Sequence, residues 1–298
     1  MSAGQIHDLG YKRYVGTRRS LGTRWTVIMR HQLATAWHGW WRFKIWLIGA
    51  LMITAVGAGV MYLATNKTLQ MLAGMGGRQV SFADGALAIL MPWYGRIGFV
   101  VGVFLCSTVV AGDVQSGAFT FYFARSMRPR DYLLGKLAAL VILMALLLLA
   151  GPVLLAILRL GLCQSTDEVI HTLPILGKAA AVGALGTMVY AVVPLGFSAL
   201  IANRRYAMAL WTAYYVVVGA MAAVAGAFLH PMIGALDLST ALGAVTLDLF
   251  EFRMLGRHAV ELPISAALIS IFAHAAVAIA IVRWRVRGAQ HAGIGGSS

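Results

Sequence analysis

The chain has few charged residues and few cysteines. Only 11% of its 298 residues are charged, whereas soluble domains carry roughly a quarter, so the composition argues against a water-soluble enzyme. The two cysteines, Cys106 and Cys163, are too few for a disulfide framework and lack the spacing of metal ligands. With 60% hydrophobic residues, most of the surface requires lipid as its solvent.

Asp and Glu are absent from six long apolar runs. These runs cover residues 45–66, 85–112, 137–158, 179–203, 206–236 and 262–282. Each is long enough to cross about 30 Å of hydrocarbon as a helix, and barrel strands would alternate polar and apolar residues. We therefore predict an all-α integral membrane protein with six transmembrane helices. The second should begin near Trp93, and the fifth run is long enough for a tilted helix plus a re-entrant segment.

The basic residues alternate between the two sides of these predicted helices. Of the 24 Lys and Arg residues, 17 precede the first run, follow the sixth, or lie between the second and third or the fourth and fifth. Cytoplasmic loops retain such an excess, so both termini, 1–44 and 283–298, should be cytoplasmic, with the transmembrane domain at 45–282 in the inner (plasma) membrane. The net charge of +14 is then a topology signal and does not indicate nucleic acid binding. The polar first 44 residues lead us to expect no signal peptide.

The segment 23–43 has the pattern of an amphipathic helix. Its apolar residues recur every three or four positions, and four of them are tryptophans: Trp25, Trp37, Trp40 and Trp41. Tryptophan accompanied by Lys and Arg favours the lipid headgroup layer. We predict an interfacial helix on the cytoplasmic leaflet, with an aromatic belt that merely extends the first span as the alternative.

The segment 113–136, between the second and third runs, is the most informative part of the sequence. It carries four aromatic residues and three arginines where a loop should face water: Phe119, Phe121, Tyr122, Phe123, Arg125, Arg128 and Arg130. Aromatic and arginine side chains anchor protein interfaces, and such an aromatic cluster is unusual on a solvated loop. We therefore predict a protein partner here. Packing of the aromatics on the membrane surface is the alternative.

The order of features resembles the membrane subunit of an ABC-2 type ABC transporter. A basic amphipathic helix and two spans precede an acidic residue, a glycine, an aromatic stretch and basic residues, and Tyr-Leu-Leu-Gly-Lys opens the third span. The matching residues are Asp113, Gly117, Arg130, Asp131, Tyr132, Leu133, Leu134, Gly135 and Lys136. Ala118 stands where the family commonly has Thr, and Pro129 comes later than usual. These departures indicate a divergent branch.

The resemblance implies that the loop is a coupling helix that docks on a cytoplasmic ATPase. The implied coupling residues are Asp113, Gly117, Phe119, Tyr122, Phe123, Arg125, Arg128 and Arg130. The implied partners are ABC ATPase subunits, which bind ATP and magnesium, and a second permease copy as a homodimer or related heterodimer. Membrane lipids are the other expected partner. The family also implies export by alternating access and two external helices, here in the loop 237–261, for which a solvated loop is the alternative.

The chain itself has no nucleotide site. Its only Gly-Lys pair at a predicted helix start, Gly135 and Lys136, lacks the upstream Gly and the following Ser or Thr of a phosphate-binding loop. We therefore expect no catalytic residue and no cofactor on this chain, and ATP hydrolysis by the partner.

Two polar residues inside the apolar runs are candidates for the substrate pathway, because hydrocarbon cannot satisfy them. Arg96 is expected about one turn below the outer surface, where it either snorkels to the headgroups or contacts an anionic substrate or lipid. His274, near the middle of the sixth run, makes either a hydrogen bond between helices or a proton relay.

The rival functions are a secondary transporter, which needs an acidic residue or a broken helix at mid-membrane, and an intramembrane enzyme, which needs clustered catalytic groups. The substrate stays open.

Overall fold

The computed structural model describes residues 21–66, 80–124, 127–252 and 262–295, and these residues form helices and no strands. The α-helices are α1 (Arg24–His38), α2 (Ile45–Thr65), α3 (Val80–Phe104), α4 (Val109–Gln115), α5 (Ala118–Ala124), α6 (Pro129–Leu148), α7 (Ala150–Gly161), α8 (Thr166–Thr172), α9 (Pro174–Leu200), α10 (Arg204–Ala213), α11 (Gly219–Phe228), α12 (Leu238–Leu249) and α13 (Ile264–Gly295). Short π-helices at Trp40–Lys44 and Tyr214–Val218 join α1 to α2 and α10 to α11. The predicted all-helical fold is confirmed.

Within the described residues, six helical stretches are long and apolar enough to cross a membrane. In chain order, spans one to six are Ile45–Thr65, Gly85–Gln115, Pro129–Gly161, Thr166–Leu200, Arg204–Phe228 and Ile264–Gln290. The predicted number of six is confirmed. The expected start of span two near Trp93 is wrong, because α3 already begins at Val80 and its residues 86–88 are buried. These residues contact other parts of the protein, so the thickness of the hydrocarbon core does not set the length of α3.

The two ends of the bundle differ in what covers them. At one end, α1 packs along α6, and α5 packs against α13. At the other end, α12 packs against α3 and against the start of α13. We call these the α1 end and the α12 end. Span four is the central helix. The 3₁₀ turn Cys106–Thr108 interrupts span two and leaves the backbone N–H groups of Val110 and Ala111 without partners within their own helix. Both groups donate to Ser198 Oγ of span four, at 2.9 and 3.0 Å.

The chain re-enters the bundle after span five. A 3₁₀ turn, Pro231–Leu236, follows the end of that span at Phe228. A Cβ atom added at Gly219 would lie 2.9 Å from Oδ1 of Asp237, so Asp237 sits level with Gly219, about 13 Å inside the end of the span at 1.5 Å per residue. From there α12 runs outward again. Helix α12 is the helical part of residues 237–252, the described part of the loop 237–261 in which two external helices are expected. Residues 253–261, where the second of them would lie, are outside the described residues.

Candidate functional site

Helix α5 begins at a glycine turn. Gly117 has φ of +67°, a left-handed conformation in which a Cβ atom is strained. It reverses the chain between α4 and α5, and its carbonyl accepts a hydrogen bond from the Thr120 hydroxyl at 2.7 Å. Gly117, one of the residues that carry the family resemblance, therefore sets the angle at which α5 leaves span two.

One face of α5 is buried against the start of span three. Phe119 is 7% exposed, and its ring centroid lies 5.2 Å from that of Tyr132 and 5.6 Å from that of Phe123. The Tyr122 ring centroid is 5.7 Å from that of Tyr132. Burial and the nearby Asp113 carboxylate raise the pKa of Tyr122, which keeps its hydroxyl neutral. These three predicted coupling aromatics hold α5 in place.

The opposite face of α5 is open. Phe121 is 75% exposed, and Arg128 and Arg130 are also exposed; Arg125 lies outside the described residues. Phe121 is missing from the coupling residues that the sequence predicts. The signal was available, since positions 119, 122 and 123 share one helical face and position 121 does not.

A buried polar cluster lies beneath α5. Lys136 Nζ is 2.9 Å from Asp113 Oδ2, and the two side chains are 4% and 16% exposed. The Tyr132 hydroxyl donates to the same carboxylate oxygen at 2.7 Å, and Lys136 also donates to Gln32 Oε1 at 3.0 Å. This cluster, Gln32, Asp113, Tyr132 and Lys136, ties α1, the end of span two and the start of span three together.

Gly135 allows α1 to approach span three closely. A Cβ atom at this position would lie 2.6 Å from the Trp25 carbonyl oxygen and 2.7 Å from Ile28 Cβ. Any larger residue would push α1 outward and stretch the Lys136 to Gln32 hydrogen bond. The Gly-Lys pair of the coupling pattern therefore has a structural explanation in helix packing.

Arg96 lies deeper than the sequence suggests. Span one runs antiparallel to α3, with a Cβ at Gly57 facing Leu90 and a Cβ at Gly49 facing Ile97. Arg96 is thus level with a residue near position 50, about 8 Å from the α1 end of span one and about 22 Å from its other end. Arg96 lies 11 residues inside the start of span two at Gly85, which is further from that end than the single turn expected from a start near Trp93. The guanidinium is exposed and stands 4.2 Å from the centroid of the Trp93 ring.

Hydroxyl groups from several spans meet at the depth of Arg96. The Tyr190 hydroxyl would lie 3.1 Å from a Cβ at Gly95 and is 2.8 Å from the Tyr215 hydroxyl, which is 2.6 Å from Ser239 Oγ. The hydroxyl groups of Thr54 and Tyr94 are 2.8 Å apart. This polar layer crosses the bundle and ends near the exposed Arg96.

His274 belongs to the same region and is fully engaged. Its Nε2 is 2.6 Å from the Tyr214 hydroxyl, and its Nδ1 is 2.7 Å from the Ser270 carbonyl oxygen. The Ser270 hydroxyl also donates to the Ala235 carbonyl oxygen of the re-entrant turn. Spans five and six and the re-entrant turn are thus joined by His274 and its neighbours, as expected of a hydrogen bond between helices.

Asp237 is a buried carboxylate that the sequence places in an external loop. It is 7% exposed, and it caps α12 by accepting hydrogen bonds from the Ser239 and Thr240 backbone N–H groups at 3.1 and 3.0 Å. The Thr240 hydroxyl donates to it at 2.6 Å. Both oxygens of this membrane-depth carboxylate therefore have partners.

No protein-family model matches the chain, and no curated protein matches it either. The functional assignment therefore rests on the residues, their geometry and the resemblance in the segment 113–136.

Proposed function

We propose that the chain is the permease subunit of an ATP-driven ABC-2 type exporter. In this proposal both termini lie in the cytoplasm, the protein resides in the inner (plasma) membrane, and the α1 end faces the cytoplasm. A separate ABC ATPase hydrolyses ATP with magnesium, and two permease copies, identical or related, form the translocation pathway.

The observation that carries the proposal is the construction of the α5 region. The exposed Phe121 and the exposed Arg128 and Arg130 of the same segment provide the aromatic and arginine anchors that interfaces use. Directly beneath, the ion pair between Asp113 and Lys136 is buried, so a displacement of α5 would be passed to two spans and α1 together. A surface that is open to a partner and tightly tied to several helices is what mechanical coupling to an ATPase requires.

The surroundings of α1 support the cytoplasmic assignment of this end. Trp40 and Trp41 are 53% and 73% exposed, and Lys44 Nζ lies 5.4 and 5.9 Å from the ring centroids of Trp37 and Trp40. Exposed tryptophans beside a cation favour the headgroup layer. The α1 helix then lies on the leaflet that the positive-inside rule assigns to the cytoplasm.

Arg96 is the part of the proposed substrate pathway with a chemical preference. An exposed guanidinium at this depth of an apolar bundle is costly unless it has a function or reaches water, and no described acidic side chain forms an ion pair with it. Stacking on Trp93 holds the guanidinium plane while its donors stay available. An anionic or polar group of the substrate would bind here as it passes the polar layer.

The second candidate function is secondary transport, and one specific observation, the position of Asp237, favours it. An acidic residue at a broken helix inside the membrane is what an ion-coupled transporter needs, and the re-entrant turn provides both. The ABC permease remains the better supported function because the Asp237 oxygens are occupied by the α12 cap. The variant Asp237→Asn separates the two, since Asn also caps helices well but cannot carry a proton or bind a cation as a carboxylate does.

The proposed function is tested by purifying the tagged chain from membranes of its own source with its partners. The proposal predicts stoichiometric recovery of a subunit with a phosphate-binding loop, and ATP hydrolysis by the complex. Recovery of the chain without any ATPase, together with transport that follows an ion gradient and persists after ATP depletion, would instead favour secondary transport.

A further inference from the structure

A groove of about 310 Å³ lies at the periphery of the bundle between spans four and six. It extends over the last two turns of span four to Leu200, and along span six from Ala273 to Ile281. Its inner end is closed by Tyr214 and His274, which are hydrogen-bonded to each other. The walls are otherwise aliphatic or aromatic, so the groove suits an apolar chain.

The position of the groove indicates that it opens to lipid, and in which leaflet. Both walls belong to membrane-spanning helices, and Leu200 and Val277 are 45% and 58% exposed at its opening. Ser198, two residues before Leu200, bonds to the end of span two next to Asp113. The open end of the groove therefore points to the α1 end of the bundle, in the leaflet on which α1 lies.

Basic and aromatic residues continue the groove beyond its apolar part. On α13 the lining positions recur every three or four residues to Ile281, and the next positions on that face are Trp284 and Arg285. Trp284 is 68% exposed. At the other wall, span four is followed by the exposed Arg205 at the start of α10. An apolar slot that ends at tryptophan and arginine matches an acyl chain below an anionic headgroup.

We propose that this groove binds one acyl chain of an anionic phospholipid of the α1-side leaflet, with Trp284, Arg285 and Arg205 at its headgroup. The site does not depend on the ATPase partner, and Arg96 is not among its lining residues. The lipid fills the contact between spans four and six below the hydrogen bond of His274 to Tyr214, and thereby supports the helix that carries the re-entrant turn.

The experiment measures lipid retention by the purified full chain with native mass spectrometry. The protein is delipidated in detergent and then titrated with phosphatidylglycerol or phosphatidylcholine. Ala273→Phe fills the groove, and Ala276→Phe makes the same change at an exposed position of the same helix outside the lining. Arg285→Gln removes the proposed headgroup contact, and Arg283→Gln removes an exposed charge from another face of α13.

The proposal predicts that the unaltered chain binds phosphatidylglycerol more tightly than phosphatidylcholine. Ala273→Phe should remove this preferred binding. Arg285→Gln should weaken the affinity for phosphatidylglycerol about fivefold, since one basic residue near the membrane surface contributes about that factor. The two control variants should bind as the unaltered chain does. Equal binding by Ala273→Phe and Ala276→Phe, or equal affinity for both lipids in the unaltered chain, would overturn the proposal.

Discussion

Replacement of Lys136 by Met should loosen α1 from the bundle. Methionine fills a similar volume but cannot donate, so Asp113 keeps only the Tyr132 hydroxyl and Gln32 loses its partner. The ion pair with Asp113 joins spans two and three, so its loss does not enter the opening of α1. What α1 loses is the hydrogen bond of Gln32 to a charged donor, and such bonds contribute about 1.5 to 3 kcal/mol, or roughly tenfold to a hundredfold in an opening equilibrium.

Hydrogen exchange of the α1 amides in detergent-solubilised protein measures this opening. Lys136→Met should reduce protection across Arg24–His38 by up to about a hundredfold while protection in the middle of span four is unchanged. Lys178→Met is the matched control, because its ion pair with Glu251 is exposed, at 31% and 84%, and exposed pairs contribute at most about 1 kcal/mol. Unchanged α1 protection in Lys136→Met, or the same loss in the control, would show that the Lys136 to Gln32 contact does not hold α1 on the bundle.

Three further predictions concern the interior of the bundle. Gly151→Val should lower membrane-extracted yield and thermal stability because a Cβ there would lie 2.7 Å from the Tyr94 ring, whereas Gly161→Val, with open space around it, should not; fluorescence-detected gel filtration after heating compares them. Asp237→Asn should keep transport and stability, and Asp237→Ala should lose about 1 kcal/mol of stability as a missing helix cap does, measured by thermal unfolding. Arg96→Lys should impair export of the substrate at equal protein level, because Lys lacks the planar fork that binds an anion bidentately; unchanged export in Arg96→Ala would remove Arg96 from the pathway.

The transmembrane helices could be predicted from the sequence because hydrocarbon thickness fixes both the length and the polarity of a span. The start of span two could not, since residues 86–88 are as apolar as a lipid-facing segment but are buried by protein. Their cover includes α12, whose position depends on the re-entrant turn. For the same reason Asp237, which the sequence places in the external loop 237–261, is found buried inside the bundle.

The geometry of the segment 113–136 could be predicted from the sequence only in part. The segment and its glycine and charged residues are recognisable from the order of features, but the division of its aromatics into a buried and an exposed face needs the observation that 118–124 is helical. The contact between Gln32 and Lys136 joins residues 104 positions apart. No local pattern predicts such a pair, because it depends on how α1 folds back along α6.

The most direct test of the proposed coupling to an ATPase is the affinity of the purified permease for its ATPase after Phe121→Ala. Truncation of an exposed aromatic anchor at an interface typically costs about 2 kcal/mol or more, so binding should weaken about thirtyfold while folding and membrane insertion are retained. Phe228→Ala is the matched control, since Phe228 is 83% exposed and ends span five at the α12 end of the bundle. Phe121→Ala should show this large loss and Phe228→Ala should show none; unchanged ATPase affinity in Phe121→Ala would mean that α5 is not the surface that binds the ATPase.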